Sequence, residues 1–274
     1  LGTLPNSDLK WEKTAQFDIG FDLGLFHNRI SLDASYYNKK TSDLLLDSPV
    51  PHTTGFKTVY RNIGSIRNQG LDLMVTTRNI DTKDFSWTTS INANYNKNEV
   101  LSLGENDEDI LQNGFLNGYS LLRVGESVGS FYGFRRLGVY TTEDFEAGKC
   151  EKKQIGRAKR SEEREILGKG TPDWTYGLNF QAAWKDFDFS MLIAGSIGND
   201  IFDATRRIDL RYVNLSSEMM DRWHGEGTSN SVPRFTWANN NDNYRVSDLY
   251  IKNGSYMRLK NIQLGYTLPK TLTS

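Results

Sequence analysis

The sequence predicts an all-β chain: an antiparallel transmembrane β-barrel segment with long extracellular loops. Three observations lead there. Apolar and polar residues alternate strictly over runs too long for ordinary globular strands. Tight polar turns alternate with very long connections. Aromatic residues gather where the alternating runs begin and end.

The founding element is a hairpin from Trp11 to Leu46, folded at His27-Asn28. On its first arm Phe17, Ile19, Phe21, Leu23 and Leu25 alternate with Gln16, Asp18, Gly20, Asp22 and Gly24. A period of two puts the apolar set on one face of a strand and the carboxylates on the other. The return arm sets Ile30, Leu32, Ala34 and Tyr36 against Arg29, Ser31, Asp33 and Ser35. Globular strands usually run about five or six residues. These arms keep phase for about nine, the length of a tilted bilayer crossing. Taken alone, the hairpin fits a soluble β-sandwich equally well.

Asp47 to Ile66 reads as loop, punctuated by Pro49, Pro51, Gly55 and Gly64. Gly70 to Thr77 is a strand with Leu71, Leu73 and Val75 on one face. After a turn at Asp81 to Asp84, Phe85, Trp87, Thr89, Ile91, Ala93 and Tyr95 alternate with Ser86, Thr88, Ser90, Asn92, Asn94 and Asn96. A face of only Ser, Thr and Asn must meet water, because unpaired polar groups are costly to bury. Glu99 to Gly170 has no sustained alternation. Its last part, from Thr141, is half charged with mixed signs, and reads as solvated loop with a helical turn near Ser161 to Ile166. A third hairpin runs Trp174 to Trp184, turns at Lys185-Asp186, and returns through Phe187, Phe189, Met191 and Ile193. Ser196 to Asn253 is a second long connection. The last strand, Tyr256 to Leu268, shifts phase between Leu259 and Ile262, which indicates a β-bulge.

Unbroken loops this long are unusual in compact domains. Outer-membrane barrels have them by rule on one side, with short turns on the other. That asymmetry, with Phe85/Trp87, Trp174/Tyr176 and Trp184/Phe187 at strand ends, favours the membrane reading over the soluble one.

Composition narrows the classes further. The chain has 274 residues, net charge −1, 13 Tyr, 14 Phe and 6 Trp. Near-neutral charge argues against a nucleic-acid binder. Mean hydropathy is −0.58, which does not weigh against a barrel, because alternation halves the apolar signal of every window. Cys150 is the only cysteine, so no intrachain disulfide or thiolate cluster forms. No basic and apolar leader follows Leu1, so the chain is expected to be an internal or C-terminal piece of something longer, or a processed form.

Several stretches, in order, resemble the SusC/RagA family of TonB-linked outer-membrane proteins. They are Leu9-Lys10-Trp11-Glu12-Lys13-Thr14, Tyr36-Tyr37-Asn38-Lys39-Lys40-Thr41-Ser42-Asp43-Leu44-Leu45, Thr54-Gly55-Phe56, and Asn62 to Gly70. Later come Gly129-Ser130-Phe131-Tyr132-Gly133-Phe134, Gly198-Asn199-Asp200-Ile201, Pro233-Arg234 and Ser255 to Asn261. The resemblance implies that residues 1–274 are about seven strands of a plugged barrel of about 22, with the plug domain and the final strands absent. It implies a cell outer membrane location in Bacteroidetes and import of oligosaccharide or peptide cargo. It also implies a SusD-like surface lipoprotein as lid, and TonB acting through the missing plug domain. Outer-membrane lipid would meet Phe17, Ile19, Phe21, Leu32, Leu178 and Phe180. Asp18, Asp22, Asp33, Asn92 and Asn94 would line the wet interior. The calcium-type loop of many relatives, before Thr171-Pro172-Asp173-Trp174, is replaced here by mixed charges, so no metal site is carried over.

Other chemistry is weak. Gly125-Glu126-Ser127-Val128-Gly129 matches a nucleophile elbow, but that motif needs a helix after it, and only His27, His52 and His224 exist to serve a triad. The chain is therefore expected not to be an enzyme and to carry no cofactor. Glu105, Asp107, Glu108 and Asp109 lack calcium-loop spacing. Lys152, Lys153, Arg157, Lys159 and Arg160 read as a solvated face among interleaved acids. Tyr212, Trp223, Phe235, Trp237 and Tyr244 lie among Asn and Arg in the last long connection and are candidate ligand-loop aromatics, as ring faces suit sugar C–H groups. The rival function is a soluble β-rich carbohydrate-binding module.

Overall fold

The computed structural model describes residues 2–104, 106–112, 118–206, 217–236 and 242–269. Seven long strands form one antiparallel sheet: β1 (Lys13–Leu25), β2 (Ile30–Ser42), β3 (Ser65–Asp81), β4 (Phe85–Ser102), β5 (Trp174–Trp184), β6 (Phe187–Ile197) and β7 (Tyr256–Tyr266). Each pairs with its sequence neighbour, so the sheet is a meander with β1 and β7 as open edges. The barrel does not close within this chain.

The register turns the sequence pattern into two continuous faces. Leu23, Leu32, Val75, Ile91, Leu178, Ile193 and Leu259 are partners in one row across all seven strands. The neighbouring row on the other face is Gly24, Ser31, Thr76, Ser90, Asn179, Leu192 and Asn261. The apolar face is uncovered: Phe17 is 60% exposed, Ile19 61%, Phe21 57% and Leu264 75%. A two-layer sandwich would bury these residues; here nothing lies over them. The polar face is stitched by cross-strand hydrogen bonds, among them Asn94 Nδ2 to Asp72 Oδ1 at 2.5 Å and the Thr76–Ser90 hydroxyl pair at 3.0 Å.

Aromatic contacts mark both ends of the apolar band. Tyr95 packs on Trp174 at 5.0 Å at one end. Trp184, Phe187 and Tyr266 pack in series at 6.3 and 4.6 Å at the other. From Trp174 to Trp184 the chain advances about 34 Å, or about 25 Å of height at a 45° tilt, which matches the apolar band of an outer-membrane barrel. The band also drifts across the sheet. Phe21, mid-run in β1, lies in register with Met257, at the start of the run in β7. Tilted strands have this stagger.

All the turns at one end are short. Phe26 to Arg29 closes the first hairpin, with positive φ at Phe26, His27 and Asn28. Lys185-Asp186 closes the third, with Lys185 at φ 52°. The bulge in β7 is present: Asn261 faces Leu192 and Leu259 faces Ile193, leaving Lys260 without a register partner.

Three expectations need correction. Asp47 to Ile66 is not plain loop: Leu45–Pro49 and Thr58–Asn62 pair as a hairpin that Thr3–Leu4 joins. Glu99 to Gly170 is not structureless. Strand β4 runs on to Ser102, and Ile110–Gln112, Ser120–Leu122, Ser130–Gly133 and Glu165–Lys169 form a small four-stranded sheet. The region expected to hold a helical turn, Ser161 to Ile166, leads instead into the last of these strands. The helix lies earlier, at α1 (Thr142–Glu146), where Thr141 and Asp144 form a reciprocal cap. These loop strands are short, and some, such as Ser120–Leu122, are buried along their whole length, so the apolar alternation that reveals the long strands is missing.

Candidate functional site

The long connections all leave from the end of the sheet opposite the tight turns, and they fold into one layer. Val100, Leu103 and Leu122 form a small core at its base, with Leu46, Ile66 and Ile110 packed against it. Higher up, two sequence-distant connections are tied backbone to backbone. Phe134 N donates to Val246 O at 2.9 Å, and Arg234 N donates to Gly156 O at 2.7 Å. Asn243 Oδ1 accepts from Ala158 N at 3.0 Å. Tyr119 stacks on Phe202 at 4.2 Å, and Phe202 stacks on Tyr250, which is fully buried. The layer is a folded body with its own core.

A cavity of about 1160 Å³ opens between the Leu45–Asn62 hairpin and the segment that follows β4. Its wall carries Asp8, Asp47, Glu108, Asn6, Asn62 and Tyr60, among others. Asp8, Asp47 and Glu108 have no ion-pair partner among the described residues. Asn62 is fixed by Nδ2 donating to Lys10 O at 2.7 Å and Asp43 O at 2.8 Å. Asp109 is spent on a two-pronged pair with Arg123 (3.1 and 2.6 Å), which raises the guanidinium pKa. Unpaired carboxylates and a half-exposed Tyr60 make a hydrogen-bond-accepting wall suited to hydroxyl or amide N–H donors.

The polar face of the sheet continues downward from this layer. Asp22 and Asp33 are direct register partners, flanked by Asp72, Asn92 and Asn94, around a shallow cavity of about 400 Å³. Asp22, Asp33, Asn92 and Asn94 are four of the residues expected to line the wet interior; the fifth, Asp18, lies on the same face outside this cavity, and Asp72 joins them. Phe17, Ile19, Phe21, Leu32, Leu178 and Phe180 all fall on the opposite face.

Of the candidate ligand-loop aromatics, Tyr212 and Trp237 lie outside the described residues. Trp223 is half-buried against Gly156, where a Cβ would come within 2.5 Å of the indole. Phe235 and Tyr244 are half-buried, and Tyr244 O accepts the Tyr250 hydroxyl at 2.8 Å. None of the three lines the cavity beside Tyr60 or a smaller one beside Phe134.

Ser127 is buried, and its Oγ donates to Asn98 Oδ1 at 3.1 Å. A strand, not a helix, follows it at Ser130–Gly133. Among the described residues no group of three His, Cys, Asp or Glu is placed to hold a metal. Of the acidic run, Glu105 lies outside the described residues. Asp107 accepts from Leu103 N, and Asp109 is paired as above.

Of the basic run, Lys152 and Lys153 are exposed as expected, whereas Arg157, Lys159 and Arg160 are half-buried. Lys159 pairs with Asp144 at 2.9 Å and holds that carboxyl below its ordinary range. Arg157 and Arg160 are half-buried in a second, smaller cavity. Sequence reading missed this because the groups facing them, Phe134, Asp242 and Arg245, come from other segments of the chain.

Comparison with known proteins agrees with this architecture. Residues 1–273 match the family model of the TonB-dependent receptor-like β-barrel. TonB-dependent receptor P3 of Formosa agariphila is 34% identical over 288 positions, covering 97% of this chain and 28% of the relative. TonB-dependent receptor SusC of Bacteroides thetaiotaomicron is 29% identical over 276 positions, covering 96% of this chain and 26% of SusC. A solved structure of the RagAB peptide transporter superposes with a TM-score of 0.79 at 25% identity, over 99% of this chain and 31% of that one. The chain thus spans under a third of the length of these proteins.

Proposed function

The chain belongs to the TonB-dependent receptor β-barrel family, an outer-membrane family, and from that premise we propose that the protein it forms part of imports nutrients of the oligosaccharide or peptide class. The observation that carries the reading is the pair of continuous faces. One wall separates a lipid-compatible surface from a hydrophilic one rich in Asp, Asn, Ser and Thr, and a folded layer with a large polar cavity sits at one end. Such a wall is built to hold a wet passage inside a bilayer.

In this reading the loop layer meets cargo first. The cavity beside Asp47, Tyr60 and Glu108 accepts hydrogen bonds from sugar hydroxyls or peptide N–H groups. Trp223, Phe235 and Tyr244 are candidate contacts further along the layer; Tyr212 and Trp237, outside the described residues, are candidates from the sequence. A SusD-like surface lipoprotein would cover the layer, and TonB would act from the turn end through a plug outside residues 1–274. Kinship with SusC, and likeness to a structure described as a peptide transporter, support the class of activity while leaving both cargo types in play. The wall residues take no part in catalysis.

The test is uptake by cells that carry or lack the full-length gene, offered labelled oligosaccharides and labelled peptides in parallel. Uptake of one class, lost on deletion of this gene and on deletion of TonB, is the expected result. Undiminished uptake of both classes in the deletion strain would overturn the proposal.

A further inference from the structure

The smaller cavity of the loop layer, about 270 Å³, is lined by Phe134, Tyr140, Gln154, Arg157, Arg160, Ser161 and Arg245, with Asp242 and Glu162 as its acids. Its frame is rigid. The Arg136–Val139 and Ala158–Arg160 pair is extended by Tyr140, whose N donates to Arg157 O at 3.0 Å and whose O accepts from Gly156 N at 2.8 Å. Ser161 N donates to Arg135 O at 2.9 Å.

The guanidinium groups are organised around one ring. Arg160, Arg164 and Arg245 lie 5.3, 5.8 and 6.0 Å from the centre of Phe134. Stacking on a ring face leaves the planar edge of a guanidinium, with its N–H donors, free for a ligand. Neutralisation is incomplete. Arg245 has Asp242 at 3.1 Å. Arg160 donates to the Asp242 backbone carbonyl at 2.9 Å and feels the Asp242 charge, but it has no carboxylate in ion-pair contact among the described residues. Arg157 has no carboxylate partner among the described residues, and its Nε is buried without a hydrogen bond. Burial and the neighbouring Arg245 charge lower the Arg160 pKa, and burial with the Arg157 charge does the same for Arg234 beside it. Half-buried cations packed this closely are costly unless an anion joins them.

We propose that this cavity is an oxyanion subsite, which takes a carboxylate or sulfate group carried by the imported cargo. Arg157 and Arg160 supply the charge-assisted hydrogen bonds, with the Gln154 amide N–H as neutral donor; the Ser161 hydroxyl already donates to Glu163 O at 2.7 Å. The volume admits a single sugar ring or one acidic side chain, just below the usual range of small-molecule pockets, about 300–1,000 Å³. Glu162, exposed at the cavity, sets a repulsive rim that weakens loosely placed anions. That the anion rides on a cargo rests on the uptake reading; that the cavity binds an oxyanion does not.

The test uses full-length protein purified from outer membranes, titrated by calorimetry with sodium glucuronate, with sodium sulfate, and with glucose. Glucuronate or sulfate should bind and glucose should not. Arg157→Gln and Arg160→Gln should each weaken that binding by roughly tenfold or more, as expected for losing a charge-assisted hydrogen bond. Glu162→Gln, at an exposed position that does not threaten folding, should strengthen it. Lys185→Gln, at the far end of the sheet, serves as control, and heat-modifiable gel migration confirms that each barrel is folded. Absence of binding by both anions, or equal binding by folded Gln variants, would overturn the proposal. If anion binding fails while uptake persists, the uptake reading stands. If binding holds while uptake is untouched by gene deletion, only the uptake reading falls.

Discussion

Phe21 and Asp22 are adjacent in the chain and meet different solvents. Phe21 is mid-run on the uncovered apolar face of β1, and Asp22 faces Asp33 on the polar side. Phe21→Arg should therefore destabilise the assembled barrel by about 2–4 kcal/mol, the cost of a cation on the lipid side near the bilayer midplane. Asp22→Asn should shift the urea midpoint little, because that face is wet. Equal shifts in a refolding titration would contradict the assignment of faces. A second pair of residues governs the loop layer. Asp144 is held low by Lys159, as Asp203 is by Lys252. A carboxyl depressed in the folded state adds stability above its ordinary pKa, and loses it as pH falls through the folded value. Limited proteolysis near α1 should accordingly speed up as pH drops below about 4. Asp144→Asn should abolish much of that acid sensitivity and raise the cleavage rate at pH 7.

Each long strand was legible because its period is two and both faces matter: one cannot bury Asn and the other cannot wet Phe. The seven strands of the sheet follow the runs read from sequence, and even the Lys260 bulge is visible as a slip in phase. Deleting Lys260 should be tolerated, since Leu259 and Asn261 would then alternate regularly with Ile193 and Leu192 as their partners. Deleting Gln263 should not, because Leu264 and Tyr266 would turn to the wet face. Gel migration of the unheated barrel distinguishes the two deletions. The same logic explains what was hidden. Beyond the band, as in Ser65 to Gln69 and Asn96 to Ser102, the strands run under the loop layer, where Val100 and Ile66 join its core, and alternation fades. The strands of the loop layer are three to five residues long, too short to carry a period. The arginine cavity was invisible for another reason. Arg157 and Arg160 sit among acids in sequence but face Phe134 and Arg245 in space.

The whole chain is a section of wall with a roof at one end. Its edges β1 and β7 are open. Its apolar band is uncovered and suited to lipid, and its polar face is suited to water. The loop layer has a core of its own and two cavities of opposite character, one rich in carboxylates and one in guanidiniums. Recognition can therefore be altered in the roof without disturbing the wall, which is why loop substitutions such as Glu162→Gln are expected to leave assembly intact.

The most direct measurement is spin-label accessibility along β5, in full-length protein carrying Cys150→Ser and reconstituted in bilayers. Labels at Leu178, Phe180 and Ala182 should collide with dissolved oxygen, and labels at Asn179, Gln181 and Ala183 with a water-soluble nickel chelate. Uniform accessibility along the strand, or the opposite alternation, would contradict the account.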